Sequence, residues 1–124
     1  MKIENNRNDF DQCAALVFDL LYKEFPMEAD INVEELTELS NENMADNYFA
    51  TLRFLQREGF LRYQEFNFGI FSGAVLTTKG LKILDTIPNI AKEETIAQQL
   101  NSALIEDNQK NIGIVIREMI KLSV

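Results

Sequence analysis

Between Gly59 and Thr78 the spacing of apolar residues changes period, and that change limits what this chain can fold into. Before it, Tyr48, Leu52 and Leu55 recur every three or four residues, the spacing of one helix face. After it, Phe60 to Phe66 and Ile70 to Thr77 are two β-rich runs on either side of Asn67-Phe68-Gly69, which predicts an antiparallel hairpin with its turn at that tripeptide. Thr77 or Thr78 then caps a further helix carrying Leu81 and Leu84, which ends near Ile87 because Pro88 follows. One hairpin set among helices predicts a mostly helical α+β fold.

On the N-terminal side, Phe10, Cys13, Ala14, Leu16, Val17, Leu20 and Leu21 line one face of a helix from Asn8, a suitable N-cap, to Phe25. Pro26 ends it, because proline disfavours the helical state of the preceding residue. Ile31 to Val33 is a strand of two or three residues at most. A short helix follows from about Glu34 to Leu39 with Leu36 and Leu39 inward, and the helix of Tyr48 runs from about Asn43 to Glu58, with Gly59 as its C-terminal cap. Beyond Pro88, Ile96, Leu100 and Leu104 form one stripe, Glu106 to Asn108 interrupts, and Ile112, Val115, Met119 and Leu122 form another. Two amphipathic helices are the natural reading, although the β-branched run Ile114 to Ile116 beside Gly113 leaves a strand open for residues 112–122.

Composition removes most chemistry. The chain of 124 residues has one domain's length, and at 46% hydrophobic with two prolines and five glycines it has the make-up of a folded globule. No apolar run is long enough to span a membrane and Met1 to Phe10 is polar, so a cytoplasmic protein with no membrane contact is expected. Cys13 is the single cysteine and histidine is absent, which excludes an intrachain disulfide, cysteine-cluster metal sites and the commonest general base. Cys13 sits on an apolar stripe and reads as a buried structural thiol. The carboxylates Glu28, Asp30, Glu34, Glu35 and Glu38 lack the spacing of a calcium loop and read as a solvated acidic face. No catalytic residue, cofactor or metal is therefore expected, and the protein is read as a non-enzyme.

The stretch Tyr48-Phe49-Ala50-Thr51-Leu52-Arg53-Phe54-Leu55-Gln56-Arg57-Glu58-Gly59-Phe60-Leu61 resembles the recognition helix and first wing strand of the MarR and PadR classes of winged-helix regulators. Ala74-Val75-Leu76-Thr77-Thr78-Lys79-Gly80-Leu81 likewise resembles the passage from their second wing strand into the next helix. The resemblance implies a winged helix-turn-helix core with a two-stranded wing over residues 1–87. Residues 88–124 then form a C-terminal helical extension of the same structural unit, for packing or for pairing into a homodimer.

The resemblance implies Asn43, Asp46, Asn47, Ala50 and Thr51 on the helix, and Gln64 to Gly69 in the wing, as the positions that would face DNA. Asn43 and Asn47, one turn apart, are the candidates for reading bases, since asparagine pairs bidentately with adenine. Arg53 and Arg57, also one turn apart, with Arg62, Lys79 and Lys82, are the candidates for phosphates or an acidic partner, against surface pairing with Glu58. Phe54 lies about 200° around the helix from Leu52 and must touch something outside the core face, either the C-terminal helices or a partner. Phe66 and Phe68 are expected to share one face of the wing beside Asn67, with at least one of the aromatics there packing inward.

Charge opposes the DNA reading. The chain carries a net −8, and Asn8 to Thr86 holds six basic and fourteen acidic residues, with Glu42 and Asp46 in the first turns of the helix and Glu65 alone charged in the wing. Two functions follow. The first is a non-enzymatic regulatory module that binds an unknown protein partner, above all through Phe66, Phe68 and Arg53. The alternative is a dimeric DNA-binding transcription regulator reading through Asn43 and Asn47.

Overall fold

The computed structural model describes residues 3–40 and 44–124, with the side chains at 3–5 and 38–40 left outside the description. Asn43, Glu42 and the side chains of Glu38 and Leu39 therefore lie outside the described residues. Among these residues the chain order is α1 (Ile3–Glu24), β1 (Ala29–Asn32), α2 (Val33–Ser40), α3 (Ala45–Arg57), β2 (Leu61–Arg62), β3 (Glu65–Asn67), β4 (Ile70–Leu76), α4 (Thr78–Leu84), α5 (Ile96–Ile105) and α6 (Gln109–Leu122). The fold is α+β, with a small antiparallel sheet among helices. No helix among the described residues is long and apolar enough to cross a membrane.

α1 is the central element. Cys13, Ala14, Ala15, Val17, Phe18 and Leu21 are all buried, which is more of the helix circumference than one stripe, because α3, α5, α6 and β4 pack around it. Its start at Ile3 overrides the cap expected at Asn8. The polar first turns are held by an i,i+4 pair of Arg7 with Asp11 and by a hydrogen bond from α3 onto the Asn6 carbonyl, contacts that local propensity does not reveal. Glu24 is the last helical residue, two before Pro26, as that proline requires.

β4 is the middle strand. β1 pairs along one edge, with Ala29 opposite Ala74 and Ile31 opposite Phe71, while β2 and β3 share the other edge. The pairing of β1 is irregular at Asp30, whose carboxylate instead accepts the Gly73 N–H at 3.1 Å. The single strand expected over Phe60 to Phe66 is divided at Tyr63 and Gln64. Gly73 opposite them has φ +67° and bends β4, and the Gln64 side chain lies over it where a Cβ would stand. Phe68 and Gly69, with φ of +53° and +78°, form the two-residue turn that closes β3 onto β4.

The helix ends follow the capping chemistry in the sequence. The Asn32 side chain accepts the N–H groups of Glu34 and Glu35 at the start of α2. Past α3, the Gly59 N–H bonds the Gln56 carbonyl and the Phe60 N–H the Leu55 carbonyl, with Gly59 at φ +83° and Phe60 and Leu55 both buried. Thr77 caps α4 by accepting the Gly80 N–H at 3.1 Å. That helix stops at Leu84 rather than near Ile87, because the Thr86 carbonyl is taken by the Ile96 N–H at 2.9 Å, which fixes the path toward α5.

Residues 112–122 are helical. Asn108 caps α6, and Ile112, Val115, Ile116 and Met119 are buried at helical spacing against α1. Thr95 and Gln98 cap α5 reciprocally, and its Ile96, Leu100 and Ala103 belong to the same core as α1, α3 and β4.

Candidate functional site

α3 carries the residues that the sequence singles out, and its surroundings sort them. At 100° per residue, Asp46, Ala50, Arg53 and Arg57 fall within a roughly 60° arc, and all four are exposed. Asn47 and Thr51 stand to one side of that arc, toward α1. The Asn47 amide donates to the Asn6 carbonyl at 3.2 Å, and its oxygen accepts the Thr51 hydroxyl at 3.1 Å. Thr51 is buried, so it is a packing residue rather than a surface one. The side of α3 expected to offer polar readers is thus partly occupied by contact with α1.

Phe54 leaves the core face as its angle requires and is 44% exposed. Its ring meets the edge of Phe10 on α1 with centroids 5.7 Å apart, and it joins Ile120 of α6 in lining an open groove of about 390 Å³. Arg7, Phe10, Asn47, Ala50 and Thr51 complete the lining. The sequence places Phe54 against the C-terminal helices or a partner, and Ile120 belongs to one of those helices, but nothing in it singles out Arg7, Phe10 or Ile120 as the residues beside it. Phe10 and Ile120 are 110 positions apart in the chain, and no local spacing links them.

The basic candidates divide. Arg53 and Arg57 are exposed and make no ion pair with a described residue, Glu58 included. Arg62 and Lys82 are likewise exposed. Lys79 is bound up in the fold, since its ammonium donates to the Glu58 carbonyl at 2.9 Å and stands 4.8 Å from the centre of the Phe60 ring, complementing the negative end of α3. The cations of this region therefore gather at the C-terminal end of α3, whereas the first turn holds Asp46.

In the hairpin, Phe66 and Phe68 do not share a face. Phe66 is directly opposite Phe71 in the β3–β4 pair and stacks on it at 4.4 Å, with Phe49 of α3 edge-on at 5.3 Å. Phe71 is fully buried, and Tyr63 packs edge-on against it at 4.8 Å. Phe68 occupies the turn itself, where strand alternation no longer applies, and is 101% exposed. Its φ of +53° is a left-handed conformation that costs a bulky side chain about 1 kcal/mol. Asn67 is exposed beside it, and Glu65 is the only charge from Glu65 to Gly69.

Titratable groups are placed as follows. Cys13 is buried and its thiol points toward the Tyr48 carbonyl, with burial driving its ionisation far above the usual range, which is the environment of an inert thiol. Asp11 is 1% exposed and bonded to Arg7 at 3.1 Å; burial raises its carboxyl pKa, and the nearby charges of Arg7 and Arg117 pull it the other way. The Tyr22 hydroxyl donates to Asp85 at 2.6 Å, and that bond raises its pKa. Glu28 accepts from Gln64 and Asp30 from Gly73, so two members of the acidic cluster serve the sheet. No family model, no curated protein and no solved structure matches this chain.

Proposed function

We propose that this chain is a non-enzymatic regulatory module on the winged-helix plan that acts through protein contact. The order from α1 to β4, with α3 leading by a tight glycine cap into a hairpin, supports the plan, with β3–β4 as the wing. The observation that carries the function is Phe68, an aromatic ring fully exposed at the wing tip in a backbone conformation that glycine or asparagine would occupy at lower cost. A phosphate-binding wing would carry lysine or arginine there, and this one carries Glu65.

The test is fluorescence anisotropy with pooled fragments of the source genome at about 50 and 200 mM salt, paired with partner capture by the wild type and by Phe68→Asn. The expected result is no DNA binding at the lower salt and a captured protein that Phe68→Asn fails to retain. Salt-sensitive binding to selected fragments would establish the other reading, a dimeric DNA-binding regulator. The exposed pair Arg53 and Arg57, which makes no ion pair with a described residue, favours that reading, and under it Arg57→Ala would flatten the salt slope by about one.

A further inference from the structure

We infer that the groove between α1, α3 and α6 receives the apolar face of an acidic amphipathic helix from a partner protein; this rests on the protein-contact reading above and names a partner chemistry and a place. The groove has an apolar lining left open to solvent: Phe54 is 44% and Ile120 39% exposed, with Phe10 of α1 packed on Phe54. An occupant must therefore bring apolar side chains.

The lining also dictates the backbone of the occupant. All three walls are helices, whose amide and carbonyl groups are bonded within themselves, so an extended segment would find no strand edge there with which to pair. A partner that already satisfies its own backbone, as a helix does, loses nothing on entering. Apolar residues one turn apart on such a helix would lie between Phe54 and Ile120.

Charge selects the rest. In a chain of net −8, four arginines stand in or beside this groove. Arg53 and Arg57 each stand three residues past a lining residue, Ala50 and Phe54, and both are exposed and make no ion pair with a described residue. Arg7 lines the groove, its charge shared with buried Asp11. Arg117, three residues before Ile120, has its guanidinium beside Asp11 as well, since both groups would lie 3.2 Å from a Cβ at Gly113. Asp46 and Glu58, the latter one turn past Phe54, are the opposing charges on the α3 bank. An acidic protein as a whole repels an acidic helix, and the four arginines offset that repulsion at this face. A nucleic acid would meet the same arginines, but its phosphates would have to sit against Phe54 and Ile120.

Two fluorescent model peptides of about fourteen residues, or four turns, decide the matter: both carry one leucine stripe, and the polar face is glutamate in one and lysine in the other. Each is titrated against the full chain by anisotropy, and the bound site is mapped from amide shifts in ¹H–¹⁵N spectra. The glutamate peptide is expected to bind at least tenfold tighter than the lysine peptide, with shifts at Ala50, Phe54 and Ile120. Phe54→Ser should lower that affinity at least tenfold, and Arg53→Glu with Arg57→Glu should reverse the preference. The two arginines are exposed, so the charge reversal carries the test even where Phe54→Ser melts early by circular dichroism. Equal binding of both peptides, or no binding by the folded wild type, overturns the proposal. Binding whose shifts centre on Phe68 overturns the groove but leaves the protein-contact reading standing. Salt-sensitive binding of duplex DNA with no peptide binding overturns both.

Discussion

The side-chain amide of Asn47 on α3 donates to the backbone carbonyl of Asn6 on α1 across 3.2 Å, while its oxygen accepts the hydroxyl of buried Thr51. A residue whose position in the sequence suggests base reading is thereby a strut between two helices. Asn47→Ala removes both bonds and leaves the Thr51 hydroxyl without that acceptor, so a loss of about 1–2 kcal/mol in urea unfolding is expected. Unchanged stability would return Asn47 to the surface.

Phe66 and Phe68, two residues apart, should separate stability from function. Phe66 stacks on Phe71 and touches Phe49, so Phe66→Ala is expected to cost about 1–2 kcal/mol. Phe68→Asn places a residue tolerant of left-handed backbone at the turn and should leave stability unchanged or raise it by up to about 1 kcal/mol, while abolishing partner capture. Thermal and urea melts of both variants measure the first effect, and capture measures the second.

Gly80 lies in α4 against the polypeptide leaving α3, where a Cβ would overlap the carbonyl oxygen of Phe60. That carbonyl also accepts the Thr77 N–H, so it has little freedom to move aside. Gly80→Ala is therefore expected to destabilise by roughly 1–3 kcal/mol despite the better helix propensity of alanine. A gain in stability would show that the α4 contact is loose.

Asp11 has a carboxyl pKa raised by burial above its ordinary 3.8, an effect that the hydrogen bond and charge of Arg7 and the charge of Arg117 do not offset. The folded state then holds the proton more tightly than the unfolded chain. Its contribution to stability is full below the unfolded pKa and is lost as pH rises from about 3.8 through the raised folded value. Asp11→Asn lacks this titration. Its stability relative to the wild type should rise across that window and level off above it, as read from urea melts between about pH 3 and 7. A constant difference across the window would place the folded pKa at its ordinary value.

The elements legible in advance were those whose signals are local. Pro26 and the tripeptide Asn67-Phe68-Gly69 act through their own backbone, Gly59 through the turn next to it, and Thr77 through the amide three residues on. The candidate site was legible in part. Phe54 was placed off the core face by helical angle alone, and Arg53 and Arg57 were placed on an exposed stripe. Alternation misplaced Phe68, because a turn residue at φ +53° no longer obeys the period of the strand.

What the sequence determined by itself was the order of the elements and, apart from residues 112–122 and the break at Tyr63 and Gln64, their kind, since apolar periodicity, caps and turns act over a few residues. The tertiary structure alone decided which polar groups are tied to distant parts of the fold. It set Asn47 against Asn6, Lys79 against Glu58 and Asp11 between Arg7 and Arg117. It also brought Phe10, Phe54 and Ile120 to one groove. Such partners are distant in sequence, and only the packing of α3 and α6 on α1 brings them within hydrogen-bonding or van der Waals reach.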